Sequence, residues 1–185
     1  MLKKAVFLDR DGVINQDSPY YIKSVKEFKF IPGSIDAVKR LTDNDFLIII
    51  ITNQSAISRG MITQSGLNEI HGFMVKTLSK HGGIIKDIFF CPHHPKQKCK
   101  CRKPLPEMIL QASQKYNIDL KYSYMVGDSA KDIECAVNAG CGHNLLVETG
   151  NCAEALSILS EKSISPGYLA ANLDKAADYI INHYY

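Results

Sequence analysis

Asp9 and Asp11 stand two residues apart, directly after the apolar run Ala5-Val6-Phe7-Leu8, and Gly12 follows at once. On an extended segment, side chains two apart face the same way. The two carboxyls can therefore share one site, one as nucleophile and the other handling protons. Gly12 lets the chain turn away sharply and lets backbone N–H groups approach a ligand. Further polar groups follow later apolar runs: Thr52-Asn53-Gln54-Ser55 after 46–51, Arg102-Lys103 beyond 84–90, and Gly127-Asp128-Ser129 with Asp132 after 124–126. Carboxylates gathered from separate strands repel one another unless a hard cation such as Mg²⁺ sits among them. A lysine and a hydroxyl beside that cation suit a phosphoryl group, whose oxygens need clamping. Asp-x-Asp-Gly alone is also a turn after a strand. The ordered company of Thr52, Lys103, Asp128 and Asp132 is what turns it into a phosphoryl-transfer site.

A second cluster lies between residues 91 and 101, where Cys91, Cys99 and Cys101 stand with His93 and His94. Three thiolates and one imidazole form a closed tetrahedral zinc site, with sulfur at ~2.3 Å. Spacing does not choose between His93 and His94. The loop is rich in Pro and Lys and has no apolar core of its own, so a structural Zn²⁺ would supply its ordering energy. Lys103 lies two residues past Cys101, so the clip would also fix a residue of the phosphoryl site. Cys135, Cys141 and Cys152 are scattered and read as small buried apolar residues. Six Cys without a secretion signal do not read as a disulfide framework.

The elements that must position these groups alternate. Strands are expected at 5–8, 46–51, 84–90, 124–126 and 145–147, with a weak one near Tyr168. Helices are expected at 34–42, 63–80, 106–116, 131–139, 152–160 and 174–182, with Pro106 opening the third and Gly140 capping the fourth. This alternation implies an α/β fold of three layers: a Rossmann-like parallel sheet with helices on both faces. Ligands in such folds sit beyond the carboxyl ends of the strands, where the polar groups above fall. The stretch 15–33 is too short for a cap domain, and Tyr20, Tyr21, Phe28 and Phe30 in it read as a packed β-hairpin. Without a lid, small phosphoesters can enter, and nearby loops must set specificity.

At 185 residues, 45% apolar and 22% charged, the chain is expected to form a single domain, 1–185, and not a disordered tail. A net charge of +3 without clustered Lys/Arg gives no nucleic-acid footprint. The longest apolar run, 46–51, is far short of the roughly 20 residues of a membrane helix. The N-terminal stretch from Met1 to Asp9 is too short in its apolar part for a signal peptide, so a cytoplasmic protein is expected.

With Val6-Phe7-Leu8-Asp9-Arg10-Asp11-Gly12-Val13, Ile51-Thr52-Asn53, Lys103-Pro104 and Gly127-Asp128-Ser129-Ala130-Lys131-Asp132 in order, the chain resembles the haloacid dehalogenase (HAD) superfamily of phosphotransferases over about residues 4–148. The resemblance implies that Asp9 is phosphorylated and Asp11 is the acid/base. It implies Mg²⁺ held by Asp9, the Asp11 carbonyl and Asp128, with Thr52 and Lys103 on the phosphoryl oxygens. Asp132 would orient Lys103 or a metal-bound water. Asn53-Gln54-Ser55 with Arg59-Gly60, Cys91-Pro92-His93-His94-Pro95 and Cys101-Arg102-Lys103-Pro104 narrow this. They make the chain similar to the D-glycero-D-manno-heptose 1,7-bisphosphate 7-phosphatases, which serve the heptose of lipopolysaccharide or related surface glycans. That family implies Zn²⁺ ligands Cys91, His93, Cys99 and Cys101. It implies substrate contacts from Asp17, Ser18, Pro19, Tyr20, Asn53, Gln54, Ser55, Arg59 and Arg102. The expected partner is a small phosphorylated sugar bound by a monomer, with neither nucleic acid nor membrane.

Two departures from the family bear on this. The stretch between His93 and Cys99 has the length seen in the sister histidinol-phosphate phosphatases, and Ser129 stands where the family often has lysine. Histidinol phosphate is thus the competing substrate. A phospho-accepting signalling domain would not need Asp11 beside Asp9, and a zinc-clipped module with a dead site would not keep Asp9, Asp11, Lys103 and Asp128 together.

Overall fold

The computed structural model describes residues 3–184, so Met1 and Leu2 of the N-terminal stretch lie outside it. The first apolar run is strand β1 (Ala5–Leu8), buried at all four residues. It pairs in parallel with β2 (Leu47–Asn53) on one side and β4 (Tyr124–Gly127) on the other. With β3 (Ile85–Cys91), β5 (His143–Val147) and β6 (Tyr168–Ala170) it makes a six-stranded parallel sheet in the order β3-β2-β1-β4-β5-β6. The chain moves outward from β1 to β3, crosses back, and moves outward again from β4. The crevice of such a sheet opens where that direction reverses, and Asp9 and Asp128 follow the two strands that flank the reversal.

Both faces of the sheet are covered, which is why β1 and β2 are continuous apolar runs and not alternating ones. Val6, Leu8, Ile48 and Ile50 pack beneath α1 (Ser34–Asp43), α2 (Gln64–Lys80) and α6 (Leu173–Asn182). Ala5, Phe7, Ile49 and Ile51 face α3 (Glu107–Tyr116) and α4 (Ala130–Ala139). Each such Phe or Ile contributes about 1.5–3 kcal/mol by burial. α5 (Cys152–Glu161) packs on α4 through Ile133, Ala155 and Leu159. No helix among the described residues is long and apolar enough to cross a membrane.

Most expected boundaries hold to within a residue or two. Pro106 is the N-cap of α3 and not its first helical residue. α4 begins at Ala130, one residue early, because Ser129 and Asp132 form a capping box, and Gly140 ends it at φ 77°. Cys135 and Cys152 are buried as expected, whereas Cys141 is half-buried.

The stretch 15–33 is a correction. It contains no hairpin: its β pairing among the described residues is two isolated bridges, Asp11 to Asn15 and Asn15 to Phe30. Pro19 and Pro32 withhold ladder donors, and Tyr21 takes a left-handed φ of 63°. Phe28 and Phe30 pack against each other, ring centroids 5.0 Å apart, and Phe28 lies 5.9 Å from Phe73 of α2. Their aromatic spacing serves contact with a helix, not a strand partner. Tyr20 is 77% exposed.

Candidate active site

Asp9 leaves β1 with its N–H donating to the Val126 carbonyl of β4 at 2.9 Å. Its Oδ1 accepts from the Arg10 N–H at 2.7 Å and lies 3.0 Å from Lys103 Nζ. The Lys103 ammonium also meets Asp132 Oδ1 at 2.5 Å and donates to the Ile51 carbonyl at 2.7 Å. Its three donors are thereby fixed. Asp132 is held in turn, because its Oδ2 accepts from the Ser129 N–H at 3.1 Å and the Ser129 hydroxyl at 2.7 Å. Asp128 Oδ2 accepts from the backbone N–H and the side-chain amide of Asn151, both at 3.0 Å. Gly12 is required here. Its φ is +80°, and a Cβ would fall 2.4 Å from Asp128 Oδ2.

Carboxylate oxygens of Asp9, Asp128 and Asp132 can all lie within 4.8 Å of one another. Burial, with Asp132, Asp128 and Asp11 nearby, pushes Asp9 up to about 8 despite the Lys103 charge. Burial and Asp132 push Asp128 up to about 6. Burial would lower Lys103, but Asp132 and Asp9 outweigh it and raise the ammonium above its ordinary range. Two crowded, protonation-prone carboxyls are a donor set that a hard dication relieves. Both Asp132 oxygens are taken, by Lys103 and by Ser129, whereas Asp9 keeps Oδ2 and Asp128 keeps Oδ1 without a partner among the described residues. Among the described residues no donor reaches the Asp11 backbone carbonyl. These groups fit Mg²⁺.

Asp11 is in a different state. Its Oδ1 accepts from Arg10 Nε at 3.1 Å, Arg10 Nη2 at 2.8 Å and Asn15 Nδ2 at 2.8 Å. Its Oδ2 accepts from Arg10 Nη2 and Gln54 Nε2, each at 2.8 Å. Burial would raise this carboxyl, but the Arg10 charge and the bonds from Asn15, Arg10 and Gln54 hold it below the usual range. Arg10 itself is fully buried, and its Nη1 lies 3.3 Å from Nε2 of His71 on α2. Burial, then the Arg10 charge, drives His71 down to about 3.

The cavity above these groups, about 300 Å³, is lined by Asp9, Asp11, Asp17, Ser18, Pro19, Thr52, Asn53, Gln54, Arg102, Lys103 and Asp128. Tyr21, Lys131 and Asn151 also line it. Tyr20, Ser55 and Arg59 do not. Tyr20 turns to a neighbouring surface groove, Ser55 is buried, and the exposed Arg59 stands 5.7 Å from the Tyr21 ring. Gln54 is in the cavity wall, but its amide is spent on Asp11 and on Thr52 Oγ1, 3.0 Å away. Asn53 bridges to the backbone of Lys103, accepting from its N–H at 3.2 Å and donating to its carbonyl at 3.3 Å. Arg10, Asn15, His71, Lys131 and Asn151 were not singled out from the sequence. Only Arg10 carried a signal: a charge set between two aspartates and directly after a buried strand.

The sulfur cluster lies beside this cavity. Cys91 Sγ is 3.4 Å from Cys99 Sγ and 3.6 Å from His93 Nδ1. Cys101 Sγ is 3.3 Å from His93 Nδ1 and 3.6 Å from Cys99 Sγ. A disulfide needs ~2.05 Å between sulfurs, whereas the edges of a tetrahedron around zinc with sulfur ligands are about 3.7 Å. The four donors fit Zn²⁺ and fill its shell. His94 is turned away. Its Nδ1 accepts from the Lys96 N–H at 3.2 Å as the cap of a short 3-10 turn, Pro95–Gln97. Arg102 Nη1 donates to the His93 carbonyl at 3.3 Å, which ties the cluster to the cavity wall.

Comparison with known proteins gives consistent results. Residues 100–176 match the HAD-hydrolase-like family. The D-glycero-beta-D-manno-heptose-1,7-bisphosphate 7-phosphatase of Bordetella bronchiseptica is 44% identical over 154 residues, 83% of this chain and 86% of its own. The Escherichia coli protein of the same name is 38% identical over 185 residues, covering 96% and 88%. The crystal structure of D,D-heptose 1,7-bisphosphate phosphatase from B. bronchiseptica, complexed with magnesium and phosphate, superposes with a TM-score of 0.89. Identity in that alignment is 39%, over 97% of this chain and 98% of the other.

Proposed function

The chain belongs to the D-glycero-beta-D-manno-heptose-1,7-bisphosphate 7-phosphatases of the HAD hydrolases, and we propose that it removes the 7-phosphate of that sugar through a phospho-aspartate on Asp9. The observation that carries this reading is the placement of Asp9, Asp11, Thr52, Lys103 and Asp128 around one open cavity.

In the first step the Asp9 carboxylate attacks phosphorus in line, and Asp11, carrying the proton it took from water in the preceding turnover, gives it to the departing O7 of the sugar. In the second, Asp11 takes a proton from water as it attacks the phospho-aspartate. Lys103 and the Thr52 hydroxyl hold the phosphoryl oxygens, and Asp132 keeps the Lys103 ammonium in place. Asp9, Asp128 and the Asp11 carbonyl would hold Mg²⁺, which when bound neutralises the charge that collects between carboxylate and phosphate. Cys91, His93, Cys99 and Cys101 would hold Zn²⁺ in a purely structural role. Arg102 and Lys131 line the cavity and make no ion pair among the described residues. They offer positive charge to the second phosphate. The product would feed heptose into surface-glycan assembly.

Phosphate release from the heptose bisphosphate, other sugar phosphates and histidinol phosphate, assayed side by side with Mg²⁺, tests the reading. The heptose bisphosphate should give the highest kcat/KM by at least about tenfold, roughly 1.4 kcal/mol of transition-state discrimination. Equal or faster release from histidinol phosphate would reject it.

A further inference from the structure

We propose that Arg10, backed by His71, is a positioning residue for proton transfer: it fixes the plane of the Asp11 carboxylate in both half-reactions. The proposal rests on the reading of Asp11 as acid/base and extends it to two side chains that touch neither substrate nor metal.

Arg10 reaches both Asp11 oxygens, through Nε and Nη2 to Oδ1 and through Nη2 to Oδ2. A contact to both oxygens fixes the orientation of a carboxyl group, where a single contact leaves it free to rotate. Arg10 is fully buried. A buried guanidinium carries a heavy desolvation cost, so the pair is poorly explained as a stabilising device. His71, buried on α2, completes the arrangement from behind, 3.3 Å from Nη1. Arginine can only donate, so Nε2 of His71 must accept and the ring proton must sit on Nδ1. The ring is held edge to face against Phe90, centroids 5.9 Å apart. The chain β3–Phe90–His71–Arg10–Asp11 thus runs from the sheet to the reacting carboxyl.

The acceptor sites of Asp11 are all taken in this structure, so one donor must yield when substrate oxygen or water arrives. Gln54 is the group that can yield. It lines the cavity, it holds only Oδ2, and its amide has Thr52 Oγ1 as a second partner at 3.0 Å. Oδ2 then exchanges Gln54 for the substrate oxygen while Arg10 keeps its grip on both oxygens. The proton moves between Asp11 and the sugar O7 in the first step and between water and Asp11 in the second, so no other reactant is needed.

The test uses the Mg²⁺-loaded full chain with Arg10→Met, Arg10→Lys, His71→Phe and Asp11→Asn. Steady-state turnover of the heptose bisphosphate is measured together with the pre-steady-state burst from nitrophenyl phosphate, whose leaving group needs no proton. Arg10→Met should lower kcat on the sugar about 10²-fold, as expected for misplacing a reacting group by ~1 Å, with KM little changed. Its first step with nitrophenyl phosphate should fall less than about tenfold, so the phospho-enzyme accumulates and the nitrophenol burst approaches one per chain. Arg10→Lys should recover part of the loss, since Lys restores charge without the fork. His71→Phe should give the same pattern more weakly, and it decides the matter if Arg10→Met does not fold. Equal losses for both leaving groups in the first step, or wild-type behaviour, would overturn the proposal. If Asp11→Asn itself shows no leaving-group selectivity, the acid/base reading fails. If it does and the Arg10 and His71 variants do not, the positioning proposal alone fails.

Discussion

The carboxylate cavity and the sulfur cluster meet within two residues, at Cys101 and Lys103, yet they are built by opposite means. The cavity draws Asp9, Thr52 and Asp128 from the ends of three neighbouring strands and Lys103 from the loop between β3 and α3. Its donors are hard oxygens around about 300 Å³ of open space. The sulfur cluster takes its donors, three thiols and one imidazole, from one local stretch, 91–101, and four such donors are enough to close a tetrahedral zinc shell. A reacting site needs a rigid sheet behind it and an empty place in front. A loop without an apolar core needs the reverse, a closed clip. They meet at Arg102 and Lys103, which directly follow Cys101 and line the cavity.

Replacing the nucleophile should break the cavity side of this comparison outright. Asp9→Asn should retain less than about a hundredth of wild-type turnover with an unchanged circular dichroism spectrum and zinc content, since an amide is a poor nucleophile. Greater residual turnover would remove Asp9 from the mechanism. The sulfur side should show a smaller but broader effect. Cys99→Ser should lower zinc content, thermal stability and activity together, the activity by up to about 10²-fold through misplacement of Lys103. Mg²⁺ binding measured by calorimetry should persist.

The two sides should also respond differently to pH. In the metal-free cavity Asp9 is raised to about 8 and Asp128 to about 6, from 3.8. Such groups favour the metal-free fold below their unfolded value, and the advantage is lost as pH climbs through their folded values. Metal-free protein should therefore melt at lower temperature as pH rises from about 4 to 8. Mg²⁺ requires the carboxylates, so its affinity should rise over pH 6 to 8 with proton release, readable by calorimetry in buffers of different ionisation enthalpy. A pH-independent affinity would contradict the protonated state of the cavity. Smallest of all, His94→Ala should leave zinc and turnover unchanged in elemental analysis and assay, because His94 caps the 3-10 turn and lies off the cluster.

What could be read ahead of the structure follows the same division. β1 and β2 declared themselves because strands buried on both faces must be continuous apolar runs, and the polar residues at their carboxyl ends then had to fall on the side of the sheet where the crevice opens. The cluster at 91–101 was legible because its ligands are local. Contacts between distant segments were not. Arg10 and His71 are 61 residues apart, and nothing in the helical spacing of α2 marks His71 as different from a core residue. Asn151 holds Asp128 from a loop with no pattern of its own. The choice of His93 over His94 depended on a backbone direction that spacing does not encode. Residues 15–33 were misread because Phe28 and Phe30 follow the surface of α2, which imitates strand alternation.

The division of labour between the two metal-capable clusters is tested most directly by chelation. Purified protein is treated with enough chelator to strip weakly held metal, its zinc is counted, and phosphate release from the heptose bisphosphate is followed as Mg²⁺ alone is returned. The account predicts one zinc retained per chain, activity abolished by the chelator, and full recovery with Mg²⁺. Recovery only with Zn²⁺, or full activity in protein that holds no zinc, would contradict it.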